Sequence, residues 1–296
     1  MTRFIELLVS GVSLGFIYAL IALGFVIVFK AMEVVNFAHG SILLLGGYLV
    51  ARLHDQVGFP LAVLIGILAS ALSALFVERV LLRTTRGASP QSLSIITIGV
   101  DIIILTDLTR RIGANVYGLG DPWRDKLVRV AGISVPQSRV AAIVVALTLI
   151  ALLFAATKFT SWGISTRAFA EDREAAALMG IRQWRVSAIA WAIAGSMAAV
   201  ASVFLTAFPT PGLDNNTGLD ALKAFPAAIL GGLDSTTGAL VGGIVVGLAE
   251  TFTSGYESNL TFLGRGFGST MPYVIMILVL LWRPAGLFGT RAATRV

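Results

Sequence analysis

The chain has 296 residues, of which 56% are apolar and only 13% charged, with a net charge of +6 and no cysteine. A soluble domain carries about 25% charged residues, so an ordinary soluble globule, a disordered chain and a nucleic-acid-binding domain are excluded. The mean hydropathy of +0.87 fits a protein whose main solvent is lipid. Without cysteine there are no disulfides and no thiolate metal sites, and two histidines, His39 and His54, are too few for a histidine-rich metal centre.

A helix rises 1.5 Å per residue, so about 20 apolar residues cross roughly 30 Å of hydrocarbon. Apolar runs fall near 7–29, 36–53, 59–78, 93–109, 139–157, 186–208, 238–253 and 270–283. The expected fold is all-α and polytopic: about eight transmembrane helices in a single domain over 1–296, plus a broken or re-entrant segment near 223–233. That segment is too short to span and contains Pro226 and Gly231-Gly232. Backbone that leaves the helix at membrane depth survives only when buried in protein or lining a wet cavity, so it marks a candidate pathway. The first run follows Arg3 and resembles a signal peptide. No small-residue cleavage site follows it, and it reaches full spanning length at Lys30, so it reads as a retained helix. Gly11 with Gly15, Gly238 with Gly242 and Gly243 with Gly247 repeat the G-x-x-x-G spacing that lets helices approach closely in lipid.

Between 110 and 138 lies a long loop with Gly120-Asp121-Pro122-Trp123 and a possible short strand at Leu127–Val135. It reads either as a folded extracytoplasmic segment that touches a soluble partner or as a simple connector. Asn215-Asn216-Thr217 and Asn259-Leu260-Thr261 match a glycosylation pattern, a weak signal. If the loop 158–185, which holds the charged segment 159–184, is cytoplasmic and 223–233 counts as one return pass, alternation puts 12 basic residues inside, Arg86, Arg291 and Arg295 among them, and 10 outside. Six of the outside residues belong to the long loop, Arg124 among them, and setting them aside leaves 12 to 4. The positive-inside rule then expects an extracytoplasmic N-terminus and a cytoplasmic C-terminus.

Residues 165–181 form the most informative stretch. Ser165 or Thr166 can cap a helix start, Glu171, Asp172, Arg173 and Glu174 keep the segment out of hydrocarbon, and Gly180 supplies a stop. The pattern predicts one short helix of three to four turns over 166–180. Ala175, Ala176 and Ala177 offer it a small, smooth docking surface. The competing reading is a solvated loop helix with no partner.

Inside the runs, Asn36 and His39 share a helix face, and polar groups there should face the bundle or the pathway. His39 also reads as a hydrogen-bonded structural histidine. Lys223 either sits at the outer end of the broken segment or snorkels to the interface. Gly231 and Gly232 either free backbone groups for a ligand or make a turn. Asp101, in mid-run, is the best buried-charge candidate, with a cation on a neighbouring helix as the alternative. Glu250 lies near the outer end of a run and is expected to reach the interface. No Walker A pattern and no Ser-His-Asp order stand out, so the chain is read as non-enzymatic, and energy has to come from a partner.

Glu174-Ala175-Ala176 followed by Gly180 resembles the EAA loop of bacterial ATP-binding-cassette importer permeases. Val35-Asn36-Phe37-Ala38-His39-Gly40 resembles the N-F-A-H-G segment of the H-type branched-chain amino-acid permeases. Arg167-Ala168, Leu178-Met179-Gly180-Ile181, Lys223 through Leu233, Gly238 through Gly243 and Arg283 through Gly289 follow the same family in the same order. The resemblance implies an inner-membrane permease that works by alternating access. Its partners would be a second permease subunit in a heterodimer, two cytoplasmic ATPase subunits that bind ATP and Mg, and a periplasmic substrate-binding protein. It carries no cofactor of its own. It implies ATPase coupling through Arg167, Glu171, Asp172, Arg173, Glu174, Ala175, Ala176, Gly180 and Ile181. The substrate pathway would pass Asn36, His39, Gly40, Asp101, Lys223, Phe225, Gly231 and Gly232. Two positions depart: Ser41 stands where the family commonly has Glu, and Asp101 has no counterpart in the family pattern. Urea, amides or aromatic carboxylates are alternative substrates. A stand-alone secondary transporter using Asp101 and Glu250 is the alternative of another class.

Overall fold

Residues 2–85, 88–123, 126–130, 133–207, 212–259 and 266–289 are described in the computed structural model of the chain. They form α1 (Thr2–Met32), α2 (His39–Val57), α3 (Phe59–Phe76), α4 (Pro90–Ile112), β1 (Leu127–Val130), β2 (Ile133–Pro136), α5 (Gln137–Phe159), α6 (Ser161–Glu171), α7 (Arg173–Leu178), α8 (Gln183–Leu205), α9 (Thr217–Leu222), α10 (Ala224–Gly231), α11 (Thr236–Gly255) and α12 (Met271–Trp282). Among the described residues the fold is all-α apart from one antiparallel hairpin. Of the residues counted for charge bias, Arg86, Arg124, Arg265, Arg291 and Arg295 lie outside the described residues, as do Leu260 and Thr261 of the second glycosylation pattern.

Among the described residues, six segments are long and apolar enough to cross a bilayer: Arg3–Met32, Phe59–Leu82, Pro90–Ile112, Gln137–Phe159, Gln183–Leu205 and Thr236–Gly255. The other two expected runs differ from them. α2 has 19 residues, but Arg52, His54, Asp55 and Gln56 dilute its last turns. The final run is a shorter apolar helix, Phe267–Trp282.

α1 is apolar on every side, which suits a helix buried on every side. Residues 19–23 are fully shielded, and α1 packs on α11, α8, α5 and α10. Its contact with α11 is built on the expected glycines. A Cβ on Gly15 would meet the Ile244 Cα at 2.7 Å, and one on Gly243 would meet the Ala19 Cα at 2.6 Å. Only hydrogen fits at either place. In lipid, where apolar side chains gain nothing by leaving the solvent, this backbone approach supplies the van der Waals attraction between helices.

α3, α4 and α5 form the outer layer. Leu61, Leu64, Leu68 and Leu72 run down the exposed side of α3, and Ile95, Ile98 and Ile102 do the same on α4. α3 finishes in a π-helical stretch, Val77–Leu82, where the Arg83 N–H donates to the Glu78 carbonyl at 3.0 Å. The wider turn directs Glu78 inward, and its carboxylate accepts the Ser187 hydroxyl at 2.5 Å. Arg79, Arg83 and Arg185 lie around the indole of Trp184 at the start of α8, 5.3–5.6 Å from the ring centre.

The expected lone strand is a two-stranded hairpin, with Leu127 opposite Pro136 and Val130 opposite Ile133. The long loop is folded rather than a bare connector. Trp123 stacks on Phe204 at 5.4 Å and meets Phe59 edge-on, while Tyr117 exchanges backbone hydrogen bonds with Leu213 at 2.9 and 2.8 Å.

Candidate coupling and translocation sites

The charged segment between α5 and α8 is two helices, not the single rod expected over 166–180. Thr160 caps α6, its hydroxyl accepting the Gly163 N–H at 3.2 Å, so Ser165 and Thr166 lie inside the helix and bond back to the Ser161 and Trp162 carbonyls. Asp172 breaks the rod. Its backbone is extended, and its carboxylate accepts the Ala175 N–H at 3.0 Å. An aspartate with a free amide two or three residues ahead caps a new helix more favourably than it continues an old one. α7 then stops as predicted. Gly180 has φ +81°, its N–H donates to the Ala177 carbonyl, and the Ile181 N–H reaches the Ala176 carbonyl at 3.2 Å. That is the Schellman pattern, for which glycine is the fitting residue.

Three contacts tie this pair of helices to the bundle. Arg173 pairs with Glu33 beyond the end of α1 at 3.5 Å. Arg167 donates to the Thr157 carbonyl of α5 at 2.7 Å, and the Trp162 indole donates to the Val186 carbonyl of α8 at 3.2 Å. Ala176 departs from expectation: it is 4% exposed and packs into the core, because it lies on the face of α7 turned to the bundle. The outward surface instead carries Glu171, Asp172, Glu174, Ala175 and Ala177, with Leu178 at 87% and Met179 at 83% exposure. Two large apolar side chains thus lie exposed beside three carboxylates on a short braced helix.

The interior site arises where two elements break at depth. α2 does not start at the end of the bundle. Its first residue, His39, packs against Gly24 and Phe25 of α1, eight residues before α1 ends and so about 12 Å inside it. Residues 33–38 cover that distance outside any helix, and α4 satisfies their backbone. The Val35 N–H donates to the Ser94 hydroxyl at 3.1 Å and the Phe37 N–H to the Thr97 hydroxyl at 3.0 Å, while Thr97 donates to the Val35 carbonyl at 3.2 Å. The Asn36 side chain accepts the Ala38 N–H at 3.1 Å. Asp101, one turn beyond Thr97 on α4, faces the hydroxyl and backbone of Ser41 in the first turn of α2. Ser94, Thr97 and Asp101 thus form one polar stripe along α4.

The second break is at Lys223, between α9 and α10. Pro226 has no N–H to give the Leu222 carbonyl, so α9 cannot run on. The two breaks meet. Phe225 lies 5.2 Å from Phe25 and 5.8 Å from Phe37, and Phe25 lies 4.7 Å from the His39 ring. A Cβ on Gly40 would lie 2.8 Å from the Gly218 carbonyl of α9. The structure therefore brings Asn36, His39, Gly40 and Phe225 together, with Lys223 two residues before Phe225 and Asp101 on α4 against the first turn of α2. Asn36 and His39 are both 1% exposed, and the His39 ring fills the space over Gly24.

Gly231 and Gly232 stand apart at the far end of α10. Gly231 faces Gly238, and its carbonyl accepts the Phe288 N–H at 3.0 Å. Gly232, with φ +101°, stops the helix. Their backbone groups are engaged in packing and a helix stop, not freed for a ligand.

Three polar residues join the site that the sequence reading left out or misplaced. Glu250 does not reach an interface. It is 7% exposed, accepts the Tyr18 hydroxyl at 2.6 Å and lies 3.5 Å from the Lys223 ammonium. Asp220 holds the same ammonium at 2.7 Å. Lys223 is thus pinned between α9 and α11 rather than snorkelling. The i, i+3 spacing of Asp220 and Lys223 was a usable signal. Tyr18 gave none, since one hydroxyl in an otherwise apolar run does not reveal its partner.

The chain matches the family of branched-chain amino acid transport system permease components over residues 7–280. It belongs to that family. It is 29% identical to the high-affinity branched-chain amino acid transport system permease protein LivH of Escherichia coli, over 99% of this chain and 98% of that one. Identity is 30% to the corresponding protein BraD of Pseudomonas aeruginosa, with the same coverage. It is 29% to a probable permease LivH of Methanocaldococcus jannaschii, over 91% of this chain and 88% of that one. No solved structure matches the chain. As a permease component, the chain is a transport subunit and not an enzyme, and it is an integral membrane protein.

Proposed function

We propose that this permease is one of two membrane subunits of an ATP-driven importer, moving branched-chain aliphatic amino acids from an external binding protein to the cytoplasm. The relatives' names support that substrate class. Two ATPase subunits dock from the cytoplasm, bind ATP and Mg, and press on α6 and α7. The exposed surface of α7 carries this reading: Glu174, Leu178 and Met179 face outward while Arg173, Arg167 and Trp162 lead to α1, α5 and α8.

The break at Lys223 gives the motion somewhere to act. α1 and α11 are locked by glycine contacts and behave as a rigid core. α9 and α10 are short, meet at a kink and are held to that core through Lys223, Asp220 and Glu250. A push on α7 reaches α1 directly through Glu33. The ligand shifts the equilibrium between outward and inward states only by its differential affinity for the two, so the external binding protein sets most of the selectivity.

Orientation follows from charge. Lys30, Arg79, Arg83, Lys158, Arg167, Arg173, Arg182, Arg185 and Arg283 gather at the end of the bundle that carries α7, which supports a cytoplasmic α7 and an extracytoplasmic N-terminus. The test is Glu174→Arg in the assembled importer. Uptake is expected to fall at least about tenfold, the effect of losing some 1.4 kcal/mol of coupling, with the membrane subunits still co-purifying. Normal uptake would remove α7 from the coupling path.

A further inference from the structure

A groove of about 600 Å³ opens where the ends of α1 and α5 meet the starts of α6 and α11. Three cations line it: Lys30, Lys158 and Arg167. Asp234 is the carboxylate close to Lys30, which also lies close to Arg167. The Lys158 ammonium rests over the Phe159 ring at 5.2 Å, and Arg167 uses one N–H on the Thr157 carbonyl at 2.7 Å. The end carbonyls of α1 and α5 contribute about half a negative charge each, and the first amides of α6 and α11 about half a positive charge each. These terms cancel, so three cations stand against one carboxylate. The groove is therefore positive by roughly two charges.

The rest of its wall is apolar. Phe154 and Trp162 line it, and on its α5 flank Phe159 is 75% exposed. A soluble anion has no use for that flank. An acidic side chain of a docking protein would meet it with water-exposed surface.

We infer that this groove binds the phosphate of an anionic phospholipid in the leaflet at the α7 end, with its acyl chains along α5. The cations hold the headgroup, and Phe154 and Phe159 cover the upper acyl segments. Basic pockets between helices at this level suit such headgroups. Because α6 forms one wall, the lipid would brace the coupling segment against α5.

The test is native mass spectrometry of the full-length permease in detergent, titrated with phosphatidylglycerol or phosphatidylcholine. The wild type is expected to retain phosphatidylglycerol preferentially. Lys158→Gln, at an exposed position, should cut the preference about fivefold, and Lys30→Gln with Lys158→Gln should abolish most of it. Arg79→Gln with Arg83→Gln, at the separate Trp184 cluster, should leave it unchanged. Equal retention of both lipids, or an equal loss in the Arg79 and Arg83 control, would overturn the site. Binding of inorganic phosphate with no lipid preference would overturn the lipid assignment, as would a preference untouched by Lys158→Gln.

Discussion

Glu250 shows how much one side chain can carry inside a membrane. It joins α1 through Tyr18 and the α9–α10 kink through Lys223. Removing one member of a buried charged group strands the others, a loss on the order of 3 kcal/mol. Glu250→Leu should therefore lower the melting temperature of the detergent-purified permease markedly. Glu250→Gln should be milder, since its amide oxygen still accepts the Tyr18 hydroxyl. Equal melting of both variants and the wild type would show that the cluster does not hold the kink. Asp101 poses a different question. It faces the hydroxyl and backbone of Ser41 in the first turn of α2, where an acceptor serves a helix start. Asp101→Asn keeps an acceptor and should leave uptake within about threefold, whereas Asp101→Leu should cost about 1 kcal/mol of stability, as lost caps do. A severe uptake defect in a fully stable Asp101→Asn protein would instead place the carboxylate on the substrate path.

At the scale of elements, glycine position separates packing from mere composition. A Cβ on Gly243 would lie 2.5 Å from the Ala19 backbone nitrogen, whereas one on Gly99 in α4 meets nothing within 4 Å. Gly243→Ala should destabilise by about 1–3 kcal/mol through overpacking, and Gly99→Ala should be neutral or stabilising by up to about 1 kcal/mol. Thermal melts of the two variants check this directly. The G-x-x-x-G spacing made that interface legible in the sequence, because the periodicity of a helix fixes which residues share a face. The broken segment was legible for a similar reason, since Pro226 cannot continue a helix. What escaped were features set by partners distant in the chain. Nothing near His39 says that α2 begins 12 Å inside, because Ser94 and Thr97 supply the backbone partners from another helix. Asp172 looked like one more helix-surface charge until its extended backbone made it a cap. Ala176 belonged to an alanine run whose inner and outer faces depend on how α7 is braced.

At the scale of the whole molecule, the permease is a pair of helices, α1 and α11, packed through glycines, with short kinked helices on one side and the braced segment α6–α7 at one end. Under the proposed coupling role, a push on α7 would reach the core through the Arg173–Glu33 pair and the α5 and α8 ends through Arg167 and Trp162. The chain has no cysteine, so a single Leu178→Cys substitution places one thiol on the outward surface of α7 without background. In membranes containing the assembled importer, thiol cross-linking from that position should capture the ATPase subunit, and the yield should change when ATP is trapped. Capture of the external binding protein instead, or labelling of the thiol from the extracytoplasmic side, would contradict the coupling role and the orientation together.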